Sequence, residues 1–180
     1  MIYVFLAKGF EEIEAITVID ILRRAGLEVK SVSISDELQT EGSHGITVTA
    51  DITVKETDLD KAVALVFPGG MPGTVNLDES KDVDRIIAEG HKRGILLAAV
   101  CAAPMILGKR GLLKGKKAIC YPGFEKYLEG AEIATEKAVI SGRIVTSKGP
   151  GTAPDFSFAI LEALGMKEKA DTLKKGMQYV

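Results

Sequence analysis

The sequence predicts an α/β fold with a mostly parallel sheet covered by helices on both faces. Three short runs, residues 2–6, 62–67 and 95–100, are continuously apolar, which is typical of strands buried on both sides. Amphipathic helical patterns lie between these runs, and this alternation favours parallel strands joined by helices. No linker, internal repeat or low-complexity segment divides the 180 residues, so we expect a single domain over residues 1–180.

Turn and cap residues define the remaining elements. Gly26 ends the first helix and Gly94 follows another, while Ser141–Gly142 marks the turn of a hairpin. Thr152 is the expected N-cap of a late helix, with Pro154 in its first turn. Helices are predicted at residues 11–25, 80–92, 102–109, 152–164 and 167–176, strands at 28–33 and 118–120, and hairpins within 38–55 and 138–147.

Composition excludes several functional classes. The net charge is −2 and the basic residues form no stripe, which argues against a nucleic-acid partner. No apolar run approaches a membrane span of about 20 residues, and the first residues lack the basic start of a signal peptide. With only two cysteines and two histidines, we expect a reducing, cytoplasmic location and no metal.

Three features follow the carboxyl ends of predicted strands, where α/β sheets bind ligands. They are Glu14 after the first strand, Gly69–Gly70 after the strand at 62–67, and Cys101 after the strand at 95–100. Because the strands are parallel, these features should meet at one edge of the sheet. The sequence therefore predicts a site there.

Cys101 has the pattern of a nucleophile elbow, a tight strand-to-helix turn that needs small residues two positions before and after the nucleophile. Ala99 and Ala103 meet that requirement. The positive end of the following helix should favour the thiolate over the thiol. The alternative is a core cysteine, since free cysteine is among the most buried residue types. Cys120 lacks the pattern and is interpreted as a core thiol.

Glu14 is predicted to be a carboxylate on an apolar flank of the first helix, beside Val18 and Ile21. Desolvation there would raise its pKa and suit it to proton transfer. The alternative is that Glu11, Glu12 and Glu14 only complement the helix dipole. That alternative explains Glu11 and Glu12 better than it explains Glu14.

The glycines Gly69 and Gly70 are candidates for backbone N–H donors to an oxyanion, and a simple turn is the alternative. Neither a Walker loop nor a Gly-x-Gly-x-x-Gly motif is present, so no nucleotide cofactor is predicted. Residues 149–152 are interpreted as a turn with a cap rather than an anion site. His44 and His91 are interpreted as surface residues.

Four motifs in order resemble the ThiJ/PfpI superfamily, and within it the branch around the parkinsonism-associated DJ deglycase. They are residues 7–15 (AKGFEEIEA), 68–70 (PGG), 99–104 (AVCAAP) and 146–152 (TSKGPGT). The resemblance covers essentially the whole chain. It implies a flavodoxin-like three-layer sandwich, a homodimer and no cofactor.

The resemblance also implies roles for individual residues. Cys101 matches the reactive cysteine, Glu14 matches the acid that hydrogen-bonds it, and Gly70 and Ala102 match the backbone oxyanion donors. The peptidase-like branch has histidine directly after the nucleophile, where this chain has Ala102. Tyr121 stands where the deglycase branch often has histidine, and a phenol has a much higher pKa than imidazole.

These observations lead to one hypothesis and two alternatives. The main hypothesis is a cofactor-independent glyoxalase or deglycase that acts on 2-oxoaldehydes or their adducts through Cys101. The first alternative is an oxidative-stress sensor or chaperone in which Cys101 is oxidised without turnover. The second, a peptidase or amidase, is disfavoured by Ala102. The sequence alone does not separate enzyme from sensor, because both use Cys101 and Glu14.

Overall fold

The computed structural model describes residues 1–179 and consists of eleven strands and six α-helices in that range. The strands are β1 (Ile2–Leu6), β2 (Val29–Ser33), β3 (Gln39–Glu41), β4 (Thr47–Thr49), β5 (Ile52–Thr53), β6 (Ala64–Phe67), β7 (Leu96–Val100), β8 (Lys117–Ala118), β9 (Glu132–Ile133), β10 (Ala138–Ser141) and β11 (Ile144–Ser147). The helices are α1 (Glu12–Arg24), α2 (Gly73–Glu79), α3 (Lys81–Lys92), α4 (Pro104–Lys109), α5 (Ala153–Ala163) and α6 (Lys167–Gly176).

Seven strands form the main sheet in the order β10-β11-β7-β6-β1-β2-β5. Every neighbouring pair is parallel except β10 with β11, which form the predicted hairpin. The strands β3 and β4 form the other predicted hairpin, outside the main sheet. The flavodoxin-like α/β fold with a mostly parallel sheet is therefore confirmed.

Apolar side chains alternate between two cores, one on each face of the sheet. Along β1, Val4 packs into the core covered by α1, α5 and α6. The next residue, Phe5, packs into the core covered by α2, α3 and α4, where its ring stacks on Phe67 at 5.2 Å. Strands buried on both faces explain why these runs are apolar at every position.

The structure differs from the prediction at several elements. Helix α2 was not predicted, because it is short and directly follows a segment rich in glycine and proline. The strand predicted at 118–120 is reduced to β8, since the Ile119 N–H donates to the side chain of Thr146, to Oγ1 at 3.0 Å, and not to a backbone carbonyl of a neighbouring strand. Thr152 occupies the predicted N-cap position of α5, but its side chain makes no capping hydrogen bond and its hydroxyl instead accepts the Gly149 N–H at 3.1 Å.

The central strands β1, β6 and β7 are neighbours, so the segments after them meet at one edge of the sheet. This places the first turn of α1, the glycines after β6 and the cysteine after β7 side by side. Across residues 1–179, no helix has both the length and the apolar character needed to cross a membrane.

Candidate active site

Cys101 lies at the tip of a sharp turn directly after β7. Its backbone has a φ of 64°, which lies in the left-handed region that residues other than glycine rarely adopt. Two neighbours hold this conformation: the Cys101 N–H donates to the Ser147 carbonyl at 3.0 Å, and its carbonyl accepts the Tyr121 N–H at 2.8 Å. The residue is 9% exposed, so the turn keeps the cysteine close to the surface.

Glu14 reaches this sulfur from the first turn of α1 and is fully buried. Its Oε2 accepts the Gly69 N–H at 2.7 Å, and its carboxyl also contacts the Cys101 thiol. Burial raises the pKa of Glu14 to about 7 and the negative charge of Glu11 adds to the rise, while the two contacts oppose it. The predicted rise by desolvation is confirmed, and the carboxyl exchanges its proton near neutral pH.

Gly69 separates the two side chains and has to be a glycine. A Cβ at this position would lie 2.6 Å from Cys101 Cβ and 2.8 Å from Glu14 Oε2, far inside van der Waals contact. Because its N–H already binds Glu14, the prediction that Gly69 supplies an oxyanion donor is wrong. The residue instead fixes how the carboxyl faces the cysteine.

The backbone amides of Ala102 and Gly70 interact with the Cys101 thiol and lower its pKa. Burial and the nearby negative charge of Glu14 outweigh them and raise this pKa to about 12. The amide of Ala102, at the start of the segment that leads into the helix, favours the thiolate as predicted, but burial and Glu14 have the larger effect. The helix α4 has only six residues and begins three positions after the cysteine, so its dipole is weak there.

Tyr121 borders the turn and is 47% exposed. Its ring lies close to Gly149 in the loop before α5. A Cβ added to Gly149 would be 3.3 Å from the ring carbon Cδ2. With its N–H bound to the Cys101 carbonyl, Tyr121 links that loop to the cysteine.

The structure gives Glu12 a role that the sequence did not indicate. Its side chain is 8% exposed, and the carboxylate accepts hydrogen bonds from the turn between β3 and β4. The donors are His44 N at 2.7 Å, His44 Nδ1 at 2.8 Å, Ser43 Oγ at 3.2 Å and Ile46 N at 3.4 Å. Burial opposes ionisation, but these donors outweigh it and lower the pKa of Glu12 to about 2.

Two other predicted residues have no part in this arrangement. Cys120 is 3% exposed, which confirms it as a core thiol, and burial raises its pKa to about 12. His91 is exposed at the end of α3, as predicted. Glu11, Glu12 and His44 bring ligand-type atoms within 4.8 Å of one another, but the hairpin already occupies the carboxylate of Glu12.

The fold and the cysteine turn together define a class, the flavodoxin-like proteins with a cysteine between a strand and a helix. The chain belongs to the DJ-1/PfpI family, whose model matches residues 1–163. This confirms the resemblance drawn from the four motifs.

Individual relatives agree with this assignment. The chain is 40% identical over 167 residues to Protein DJ-1 homolog B of Arabidopsis thaliana, covering 92% of this chain but only 38% of that protein. It is 34% identical over 166 residues to the Glutathione-independent glyoxalase DJR-1.2 of Caenorhabditis elegans, covering 92% and 88% of the two chains. The structure of oxidised Toxoplasma gondii DJ-1 superposes with a TM-score of 0.94 at 34% identity, covering 99% and 98% of the two chains.

Proposed function

We propose that the chain is a cofactor-independent enzyme of the glyoxalase/deglycase type, acting on 2-oxoaldehydes or their adducts through Cys101. One observation carries the proposal. A strained, barely exposed cysteine lies against the buried carboxyl of Glu14, whose pKa burial raises to about 7, and the backbone amides of Ala102 and Gly70 interact with its thiol. The name of the C. elegans relative supports the same activity.

The first step uses Glu14 as a general base. Because the thiol holds its proton while Glu14 is ionised, the carboxylate takes that proton as sulfur attacks the aldehyde carbon. An S–C bond forms and the carbonyl electrons move to oxygen. The amides of Gly70 and Ala102, which interact with the thiol, stabilise this oxyanion. Proton return from Glu14 completes the hemithioacetal.

The second step is a proton transfer between adjacent carbons. Glu14, again a carboxylate, removes the proton from the former aldehyde carbon and delivers one to the neighbouring ketone carbon. The product is a thioester of Cys101, and water hydrolyses it to a 2-hydroxy acid and regenerates the thiol. These reaction steps neither oxidise nor reduce the protein, because the oxidation of one substrate carbon is balanced by the reduction of its neighbour. A carboxyl with a pKa of about 7 suits this alternation between base and acid.

The test is methylglyoxal consumption with lactate detection in the absence of glutathione. Wild type should turn over, and Cys101→Ala should fall to the rate without protein. Cys120→Ala is the matched control, since it removes the other buried thiol and should retain turnover. Inactive wild type, or an active Cys101→Ala variant, would contradict the proposal.

A second candidate function, oxidative sensing, is favoured by one atom. Oε1 of Glu14 is buried and makes no hydrogen bond within residues 1–179, so a protonated Glu14 can donate to an oxygen on the Cys101 sulfur. Two equivalents of peroxide would convert the thiol to a sulfinic acid and release two waters. Intact-mass analysis after mild peroxide should then show two added oxygens on Cys101 and none on Cys120. Equal oxidation of both cysteines would rule this function out.

We also propose that the protein is cytoplasmic and homodimeric. Its two cysteines are free thiols, which suits a reducing compartment. Ile13, Ile16 and Ile46 are 56%, 42% and 57% exposed on the outer side of α1 and the adjoining hairpin turn, a suitable surface for a second copy. Light scattering should report a dimer that Ile13→Glu dissociates and Ile140→Glu, on β10, leaves intact. A monomeric wild type would refute the dimer.

A further inference from the structure

Glu11 is an unusual residue for its place in the fold. It is the N-cap of α1, with extended backbone angles, and its Oε2 accepts the Glu14 N–H at 2.7 Å. Serine, threonine, aspartate and asparagine are the favoured caps, since their shorter side chains reach this N–H directly. Helix stability alone therefore does not account for a glutamate here.

The backbone of Glu11 takes part in a second link to the site. Its N–H donates to the Gly69 carbonyl at 3.0 Å, while the Gly69 N–H donates to Glu14 Oε2 at 2.7 Å. One glycine thus connects both ends of the first turn of α1. Displacing Glu11 would move the amide of Gly69 that holds the Glu14 carboxyl.

The side-chain charge of Glu11 acts on the same carboxyl. Glu11 is 6% exposed, so water screens its charge poorly. The titratable groups that face Glu14 are Cys101, from the turn after β7, and Glu11, from its own helix. Glu11 opposes the ionisation of Glu14, whereas the contact with Cys101 favours it.

We propose that Glu11 is a positioning residue that holds the Glu14 carboxyl against Gly69 and places a second buried carboxylate beside it. This inference deepens the proposed function, because it rests on Glu14 as the group that carries the proton. It also explains the choice of glutamate over a shorter, neutral cap.

The test measures the proton on Glu14 directly, by infrared titration of the carboxylic C=O stretch, assigned with Glu14→Gln. Glu11→Gln keeps an oxygen that can cap α1 and removes only the charge. We expect the titration midpoint of Glu14 to fall by about one pH unit. Glu11→Ser, a favoured neutral cap, should do the same and replaces Glu11→Gln if that variant does not fold. Glu11→Asp keeps both the negative charge and the cap, so its midpoint should lie within about 0.3 pH units of the wild-type value.

Glu12→Gln is the matched control, since Glu12 is the next residue, is equally buried and has its hydrogen bonds to the hairpin. It should lower thermal stability without moving the midpoint of Glu14. An unchanged midpoint in the neutral Glu11 variants, or an equal shift in Glu12→Gln, would overturn the inference. Since the titration needs no substrate, it decides this point even if methylglyoxal is not turned over.

Discussion

Glu12 and Glu14 are both buried in the first turn of α1, yet their pKa values move in opposite directions. Glu12 accepts four hydrogen bonds from one hairpin turn, so its pKa falls to about 2. Glu14 accepts one N–H from Gly69 and contacts a thiol, so burial dominates and its pKa rises to about 7. Glu14 is the more deeply buried of the two and has fewer hydrogen-bond donors, and together these differences raise one pKa and lower the other.

The largest expected effect is on turnover. Glu14→Gln removes the proposed general base while keeping an acceptor for the Gly69 N–H, and should slow methylglyoxal conversion by about 10²- to 10⁴-fold. Glu12→Gln alters only the hairpin anchor and should stay within about tenfold of wild type. Side-by-side turnover assays of the two variants check this. Similar losses in both would mean that the comparison between the two carboxylates does not extend to function.

The next effect is on how stability depends on pH. Glu14 has a raised pKa in the folded state, about 7 against an ordinary 4.5, so its folded form holds a proton that the unfolded chain releases. The contribution of Glu14 to the free energy of unfolding is therefore fully present below pH 4.5 and is lost as the pH rises through 7. The change is about 3 kcal/mol in the free energy of unfolding.

Chemical denaturation of wild type and Glu14→Gln from pH 5 to pH 8 measures this loss. The stability of the variant relative to wild type should improve with rising pH, whatever the absolute cost of the substitution. A constant difference across that range would show that Glu14 titrates normally in the folded protein.

Sequence reasoning predicted the fold, which is confirmed, and the candidate site residues, because both predictions depend on local patterns. Continuous apolar runs mark strands buried on two faces, and small residues around Cys101 mark a crowded turn. Glu14 was found because it breaks the polarity pattern of its own helix. In each case the signal lies within a few residues of the feature it predicts.

The rest depends on contacts between distant segments, which no local pattern encodes. The N–H of Gly69 is bound by a carboxylate 55 positions earlier, so its loss as an oxyanion donor could not be read from the glycine itself. The raised pKa of Cys101 likewise depends on burial and on Glu14. For Glu12, the sequence showed a turn that contains His44 but not which residue that turn contacts. The interaction of Glu12 with the helix dipole was enough to explain an acidic residue at that position.

The smallest expected effect concerns Glu12, and it has the opposite sign. Its pKa is lowered in the folded state, from 4.5 to about 2, so its contribution is present above pH 4.5 and is lost as pH falls through 2. Because His44 is 69% exposed and water reaches the turn, we expect only about 1–2 kcal/mol. Glu12→Gln should therefore be less stable than wild type at pH 7, with a gap that narrows toward pH 3.

The pair His44→Ala and His91→Ala sharpens the test, since only the first should reproduce part of the loss. The stability difference between each variant and wild type can be followed against pH by denaturation. If this difference changed with pH in the same direction for Glu12→Gln and Glu14→Gln, the hairpin donors would not explain the opposite pKa shifts of the two carboxylates.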